Sequence, residues 1–142
     1  MTLPDRLEAG TQNIPGLLAL EKSICHVKDN LEKLRSSECR MTELLYTGLE
    51  SIDGVRIVGA PLDRPRTSVI SVTSDRRDIA EISALLQERY AIETRVGMHC
   101  SPSSHRSLGT FPGGTLRFSP GPFTTEDEID RTVRAMKEIV NG

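Results

Sequence analysis

The sequence predicts an α+β fold in which a small, mainly antiparallel sheet of about four strands is covered by helices. Three observations carry this. Apolar residues recur at three- and four-residue steps in four stretches, and four short stretches between them read as strands. The connections through Pro61 to Pro65 and through Pro120-Gly121-Pro122 read as tight turns rather than linkers. Finally, 142 residues with 37% hydrophobic content can bury a core without disulfides or a structural metal. A single domain over residues 1–142 is expected.

The opening Leu3 to Asn13 is polar, carries Pro4 and Gly10, and reads as an extended surface arm leading to a helix near Pro15, a residue suited to a first turn. One helical pattern runs from Ile14 to about Val27. A second, from Asn30 to Ile52, places Leu31, Leu34, Met41, Leu45 and Ile52 on one face, and Asp53-Gly54 closes it. Val55 to Gly59 alternates as a first strand, and the β-branched Thr67 to Thr73 is a second. Asp78, with Glu81 three positions on, caps a helix that carries Ile79, Ile82, Leu85, Leu86 and Tyr90 inward. A strand through Glu93 to Gly97, a compact stretch from Met98 to Gly114, and a strand at Thr115 to Ser119 follow. The last helix opens on a capping box, Thr125 with Glu128, and carries Ile129, Val133, Met136 and Val140 as one apolar stripe.

Charge and length exclude several functions. The 18 basic and 20 acidic side chains leave a net charge of −2, and no Lys/Arg run is dense enough to track phosphates, so nucleic acid is not an expected partner. No apolar stretch approaches the ~18 residues that cross a bilayer, and Met1-Thr2-Leu3-Pro4-Asp5-Arg6 lacks the order of a signal peptide. No membrane association and a cytoplasmic location are expected. Cys25, Cys39 and Cys100, an odd count at unrelated spacings, read as reduced thiols.

Chemistry concentrates in Arg95-Val96-Gly97-Met98-His99-Cys100-Ser101-Pro102-Ser103-Ser104-His105. A cysteine at a strand end with imidazoles beside it and a guanidinium five residues before it is the best candidate for a reactive thiol, because the thiolate is the nucleophile and cationic neighbours favour it. The competing reading is a small apolar residue packed beneath the loop. Cys25 and Cys39 sit in helical patterns and read as inert or merely exposed. His99, Cys100 and His105 carry ligand types that suit zinc, but no further pair completes four ligands, and no metal is expected. Arg117 alternates within a short strand, where an inward guanidinium needs a carboxylate from the protein or from a substrate, and where alternation alone suits a solvated strand face equally well. The glycines at 109, 113 and 114 match no phosphate-cradling loop and read as turns.

The stretch from Arg95 to Pro102, with Gly114-Thr115-Leu116-Arg117-Phe118-Ser119-Pro120-Gly121-Pro122-Phe123 and the acidic helix start Glu126-Asp127-Glu128, resembles the carboxy-terminal end of NifS-like cysteine desulfurases in the class V aminotransferase superfamily. Glu8-Ala9-Gly10-Thr11-Gln12-Asn13-Ile14-Pro15-Gly16 resembles the segment leading into that family's small domain, so the likeness covers nearly the whole chain. It implies the fold of the carboxy-terminal small domain of fold-type I pyridoxal phosphate enzymes. It also implies pyridoxal phosphate as cofactor of the full-length enzyme, L-cysteine as substrate, a sulfur-acceptor protein as partner and a homodimer.

By the same resemblance Cys100 is the catalytic cysteine, in a short-loop arrangement, and carries the sulfur as a persulfide. Arg117 binds the substrate carboxylate, Arg95 and His99 shape the thiol's surroundings on the substrate side, and Thr11 reaches the cofactor phosphate of the neighbouring subunit. The family's Schiff-base lysine lies in a larger amino-terminal domain, whereas Lys22, Lys28, Lys33 and Lys137 all fall in amphipathic helical patterns. The chain alone is therefore expected to be inactive; an exposed apolar face where a large domain normally packs would favour a truncated enzyme over a stand-alone module. Ser101 replaces the usual alanine, and His105 follows a Cys-Ala-Pro-x-x-His branch. Two other readings stay open: another enzyme of the superfamily, such as an aminotransferase, lyase or epimerase in which Cys100 is incidental, or a non-catalytic module that binds amino acids or proteins.

Overall fold

The structure, a computed structural model, describes Leu7 and residues 10–142. Of the arm expected over Leu3 to Asn13, residues 1–6, 8 and 9 lie outside the described residues, as do Glu8 and Ala9 of the family-like opening. The chain divides into two compact units, Met1–Leu34 and Arg35–Gly142. Helix α1 (Ile14–Glu50) contributes to both.

In the first unit the Asn13 side chain accepts the N–H of Gly16 at 3.1 Å and so caps α1. Pro15 then sits in the first turn, where its missing N–H costs nothing. The two helices expected over 14–27 and 30–52 are one helix. No Gly or Pro interrupts residues 17–47, and Asn30 does not start a new helix, because its side chain donates back to the carbonyl of His26. Leu17, Leu20, Ile24, Val27 and Leu31 recur at alternating three- and four-residue steps, and each is about half exposed.

The second unit continues with β1 (Val55–Val58), β2 (Ile70–Ser74), α2 (Ile79–Tyr90), β3 (Arg95–Gly97), α3 (Pro102–Ser107), β4 (Thr115–Phe118) and α4 (Glu126–Asn141). The four strands form one antiparallel sheet in the order β1-β2-β4-β3, which is the α+β architecture the sequence predicts. Strand β2 begins at Ile70 rather than Thr67, because the Arg66 guanidinium takes the carbonyl of Val69 and Ser68 bonds Glu38. Helix α3 lies inside the stretch read only as compact, with Pro102 in its first turn. Helix α1 ends at Glu50, two residues before Ile52, and Gly54 at φ +83° completes the turn into β1. The Asp78 carboxylate accepts the N–H groups of Ala80 and Glu81, and Thr125 with Glu128 forms the expected capping box.

Met41, Leu45 and Leu49 of α1 pack with Ile82 and Leu86 of α2, Ile129, Met136 and Ile139 of α4, and Ile70, Val72, Leu116 and Phe118 of the sheet. Ile79, Leu85, Tyr90 and Val133 pack at the edge of this core, partly buried. Leu116 is fully buried, so Leu116→Ala is expected to lower unfolding free energy by about 2–5 kcal/mol, read as a lower urea midpoint with an unchanged slope. Because residues alternate across a strand, the side chains at 71, 95, 115 and 117 project from the other face of the sheet. Among the described residues no helix is long and apolar enough to cross a membrane.

Candidate active site

The outer face of β3 and β4 gathers cationic groups that join no ion pair among the described residues. Arg95 stands directly opposite Arg117 in the register, an arrangement that repels unless something negative lies between. Neither joins an ion pair among the described residues. Arg117 does not face the helices, as an inward reading of its strand expects, but projects from the opposite face of the sheet, where it is partly buried.

Beyond the end of β3 the chain turns sharply. His99 and Cys100 both take positive φ, 47° and 61°, and the N–H of Ser101 donates to the carbonyl of Met98 at 2.8 Å. This is the pattern of a type I′ turn, which normally recruits Asn and Gly. Two successive non-glycine residues in the left-handed region cost on the order of 1 kcal/mol or more each and persist only where the surroundings enforce them. The turn puts Cys100 at its apex, exposed and unpaired. The competing picture of a thiol packed under the loop does not hold.

What enforces the turn follows it. His105 is 6% exposed, and its ring Nδ1 lies 2.6 Å from the Thr110 hydroxyl. Its carbonyl accepts the N–H groups of both Thr110 and Phe111, while its own N–H donates to Ser101. Gly114, at φ +79°, packs so close to Gly97 that a Cβ there meets the Gly97 backbone well inside van der Waals distance. Gly114→Ala is therefore expected to push β4 off β3 and disorder the Cys100 turn. Loss of the Ser101 and Gly114 amides from the slowly exchanging set, with the α2 and α4 amides retained, is the measurement.

The imidazole of His99 tilts at 46° to that of His105, with centroids 6.1 Å apart. Burial, and then the Arg117 guanidinium, push His99 below its ordinary imidazole value; Arg95 and His105 add to this, and the backbone of Thr115 pulls the other way. The balance disfavours the charged ring. Among the described residues the buried side-chain atoms without a hydrogen-bond partner are Arg66 Nε, both ring nitrogens of His99, Thr115 Oγ1 and Arg117 Nε. All but the first belong to three side chains of this one site. Buried polar groups are normally satisfied by protein or by ordered water.

The chain matches the aminotransferase class-V family over residues 1–132. It belongs to that family. It is 30% identical over 138 residues to a probable cysteine desulfurase of Methanothermobacter thermautotrophicus, covering 96% of this chain and 34% of that protein. It superposes with a TM-score of 0.84 and 26% identity on the apo structure of a cysteine desulfurase from Thermococcus onnurineus NA1, covering 98% of this chain and 34% of that one. A cysteine desulfurase of Escherichia coli in its S-sulfonic acid form aligns with a TM-score of 0.79 and 26% identity, over 99% of this chain and 34% of that one. The chain thus spans about a third of the length of these class-V relatives.

Within this class-V segment the structure brings Arg95, His99 and Arg117 together at the end and outer face of β3 and β4, and Cys100 follows His99 at the turn apex. Thr11 belongs to the first unit, where it is exposed just ahead of α1. Cys25 and Cys39 are exposed on α1. Two features escape a reading of the sequence. One is the His105–Thr110 pair, whose five-residue separation matches no helical or strand repeat. The other is Thr115, which strand parity with Arg117 would have found.

Proposed function

We propose that this chain is the nucleophile-bearing segment of a cysteine desulfurase, which takes sulfur from L-cysteine as a persulfide on Cys100. The observation that supports the reading is the conjunction of an exposed thiol on an enforced turn with two guanidiniums facing each other on β3 and β4 that join no ion pair among the described residues. Arg117 supplies a planar, bidentate seat for the substrate carboxylate, and Arg95 adds positive field from the facing strand. His99 lies on the same side. In net terms L-cysteine and the Cys100 thiol give alanine and a Cys100 persulfide, the sulfur passing from carbon to sulfur with no change in total atoms or electrons. A sulfur-acceptor protein then collects it.

Pyridoxal phosphate, when bound, supplies the electron sink that such a carbon–sulfur cleavage demands. The lysines here do not fit the covalent holding of that group: Lys22, Lys28 and Lys33 lie on α1, Lys137 is exposed on α4, and none is among the groups around His99. The cofactor therefore belongs to polypeptide of the kind the relatives carry in addition, and this chain alone is inactive. The half-exposed apolar stripe of α1, from Leu17 to Leu31, offers that region a packing surface. Thr11 is assigned to the cofactor phosphate across a homodimer.

The test is mass spectrometry of the assembled enzyme after turnover with L-cysteine. One added sulfur atom is expected on the peptide that carries Cys100 and none on those with Cys25 or Cys39. Alanine release without that adduct would transfer the nucleophile's role elsewhere and favour a class-V enzyme of another kind.

A further inference from the structure

Between Glu93 and Glu126 the chain carries no acidic residue, while Arg95, Arg106 and Arg117 all fall there, in a protein that is net acidic overall. That stretch builds β3, the Cys100 turn, α3 and β4. The ion pairs among the described residues join Arg40 to Glu126, Arg76 to Asp53 and Arg77 to Glu81, and involve none of the three arginines. The side chains whose charge acts on His99 are Arg117, Arg95 and His105, with no carboxylate among them. The surroundings of the thiol are thus cationic by composition and by contact.

Arg95 and Arg117 belong to the substrate seat, but Arg106 does not. It lies on α3, four residues past Pro102, so the helix carries it only about 6 Å along from the turn. Its guanidinium stands over the ring of Phe111, 4.7 Å from the centroid. Phe111 is 45% exposed, and Leu108, between the two in the chain, is 46% exposed. The N–H of Phe111 donates to the carbonyl of His105, whose own N–H donates to Ser101, so this patch hangs on the same backbone that follows Cys100. Arginine and aromatic rings are the side chains enriched where proteins meet, and stacking orders the long arginine before anything binds.

We propose that Arg106, Phe111 and Leu108 form the docking surface for the sulfur acceptor beside Cys100, and that this acceptor is a protein whose receiving thiol is flanked by acidic side chains. Charge complementarity selects that occupant: a carboxylate arriving here meets guanidiniums that no residue of this stretch neutralises, whereas a basic loop is repelled. Transfer of the terminal sulfur of a Cys100 persulfide to the arriving thiol restores the Cys100 thiol and leaves a persulfide on the recipient, so atoms and electrons balance without an oxidant or reductant. This names the partner of the desulfurase reading and rests on it for its importance, while its test reads the surroundings of Cys100 alone.

The experiment is thiol–disulfide exchange on this chain with Cys25→Ser and Cys39→Ser, so that Cys100 alone is converted to its 2-thiopyridyl disulfide. Two short peptides are compared, each with one cysteine, flanked by aspartates in one and by lysines in the other. Release of pyridine-2-thione gives each rate, divided by the same peptide's rate on the 2-thiopyridyl disulfide of mercaptoethanol to remove the thiol's own reactivity. At low salt the acidic peptide should react about tenfold faster than the basic one, and the preference should shrink steeply by about 0.5 M salt. Arg106→Glu should cut the preference by roughly threefold or more, whereas Arg106→Lys, which keeps the charge, should hold most of it. If the glutamate chain does not fold, Arg106→Gln removes the same charge and is read in the same way. Equal rates in the wild type, or a faster basic peptide, overturn the proposal; so does a preference that Arg106→Glu or Arg106→Gln leaves unchanged, since the field then comes from the substrate seat alone. A persulfide missing from Cys100 after turnover, together with an intact preference, counts against the desulfurase reading and not against the cationic surface.

Discussion

Cys100→Ser in the assembled enzyme is expected to lower alanine and sulfide production from L-cysteine by at least about 10²-fold, because oxygen at the turn apex cannot take up sulfur and the covalent route closes. Serine keeps the size of the side chain and imposes no new constraint on a residue at φ 61°, so the loss reports chemistry rather than collapse of the turn. Two controls sharpen the result. Cys25→Ser and Cys39→Ser, both at exposed helical positions, should leave turnover within twofold of wild type on the order expected for surface changes. Binding of cysteine should survive in Cys100→Ser, since the carboxylate seat is untouched. Full alanine production by the serine variant would show that the thiol is incidental.

Arg117→Ala carries the second large effect. A carboxylate held by two parallel N–H groups is worth roughly 1.5–3 kcal/mol, so kcat/KM for L-cysteine should fall about 10- to 150-fold. Arg117→Lys should recover little, because a point charge cannot reproduce the planar fork. The discriminating measurement is a parallel assay with cysteamine, which lacks the carboxylate. Its weaker turnover or binding should be nearly indifferent to the change. An equal loss for both compounds would mean that the substitution damages the sheet rather than the seat. Arg95 stands opposite on β3, and Arg95→Ala should weaken cysteine binding less, since its side chain is the more exposed of the two.

Much of the fold was legible because it rests on short-range rules. Thr125 and Glu128 announce α4 by a reciprocal pair of hydrogen bonds between neighbours in the chain, and the β-branched run near Val72 has nowhere to go but a sheet. The misreadings have long-range causes. The polar Lys28-Asp29-Asn30 looks like a break, yet nothing in it opposes helix, and α1 passes straight through. The start of β2 depends on where the Arg66 side chain finds its acceptors, which no local pattern encodes.

The site divides in the same way. Cys100, His99, Arg95 and Arg117 were visible as a clustered motif and its resemblance. The left-handed pair at 99 and 100 was not, since neither residue type announces such a turn. Nor was the outward parity of Thr115, which becomes meaningful only once Leu116 is known to face the helices.

The hydrogen bond between Ser101 and Met98 that closes the hairpin-like bend at His99 and Cys100 limits how far the sulfur travels. A nucleophile on a long tether can search for its target and then swing to a recipient, whereas one clamped at the tip of a four-residue bend has only its own side-chain rotation. If Cys100 carries sulfur as proposed, delivery then falls to the recipient, which must bring its own reactive group to the tip of this turn. The rate of hand-off should accordingly follow the recipient's mobility rather than that of this chain.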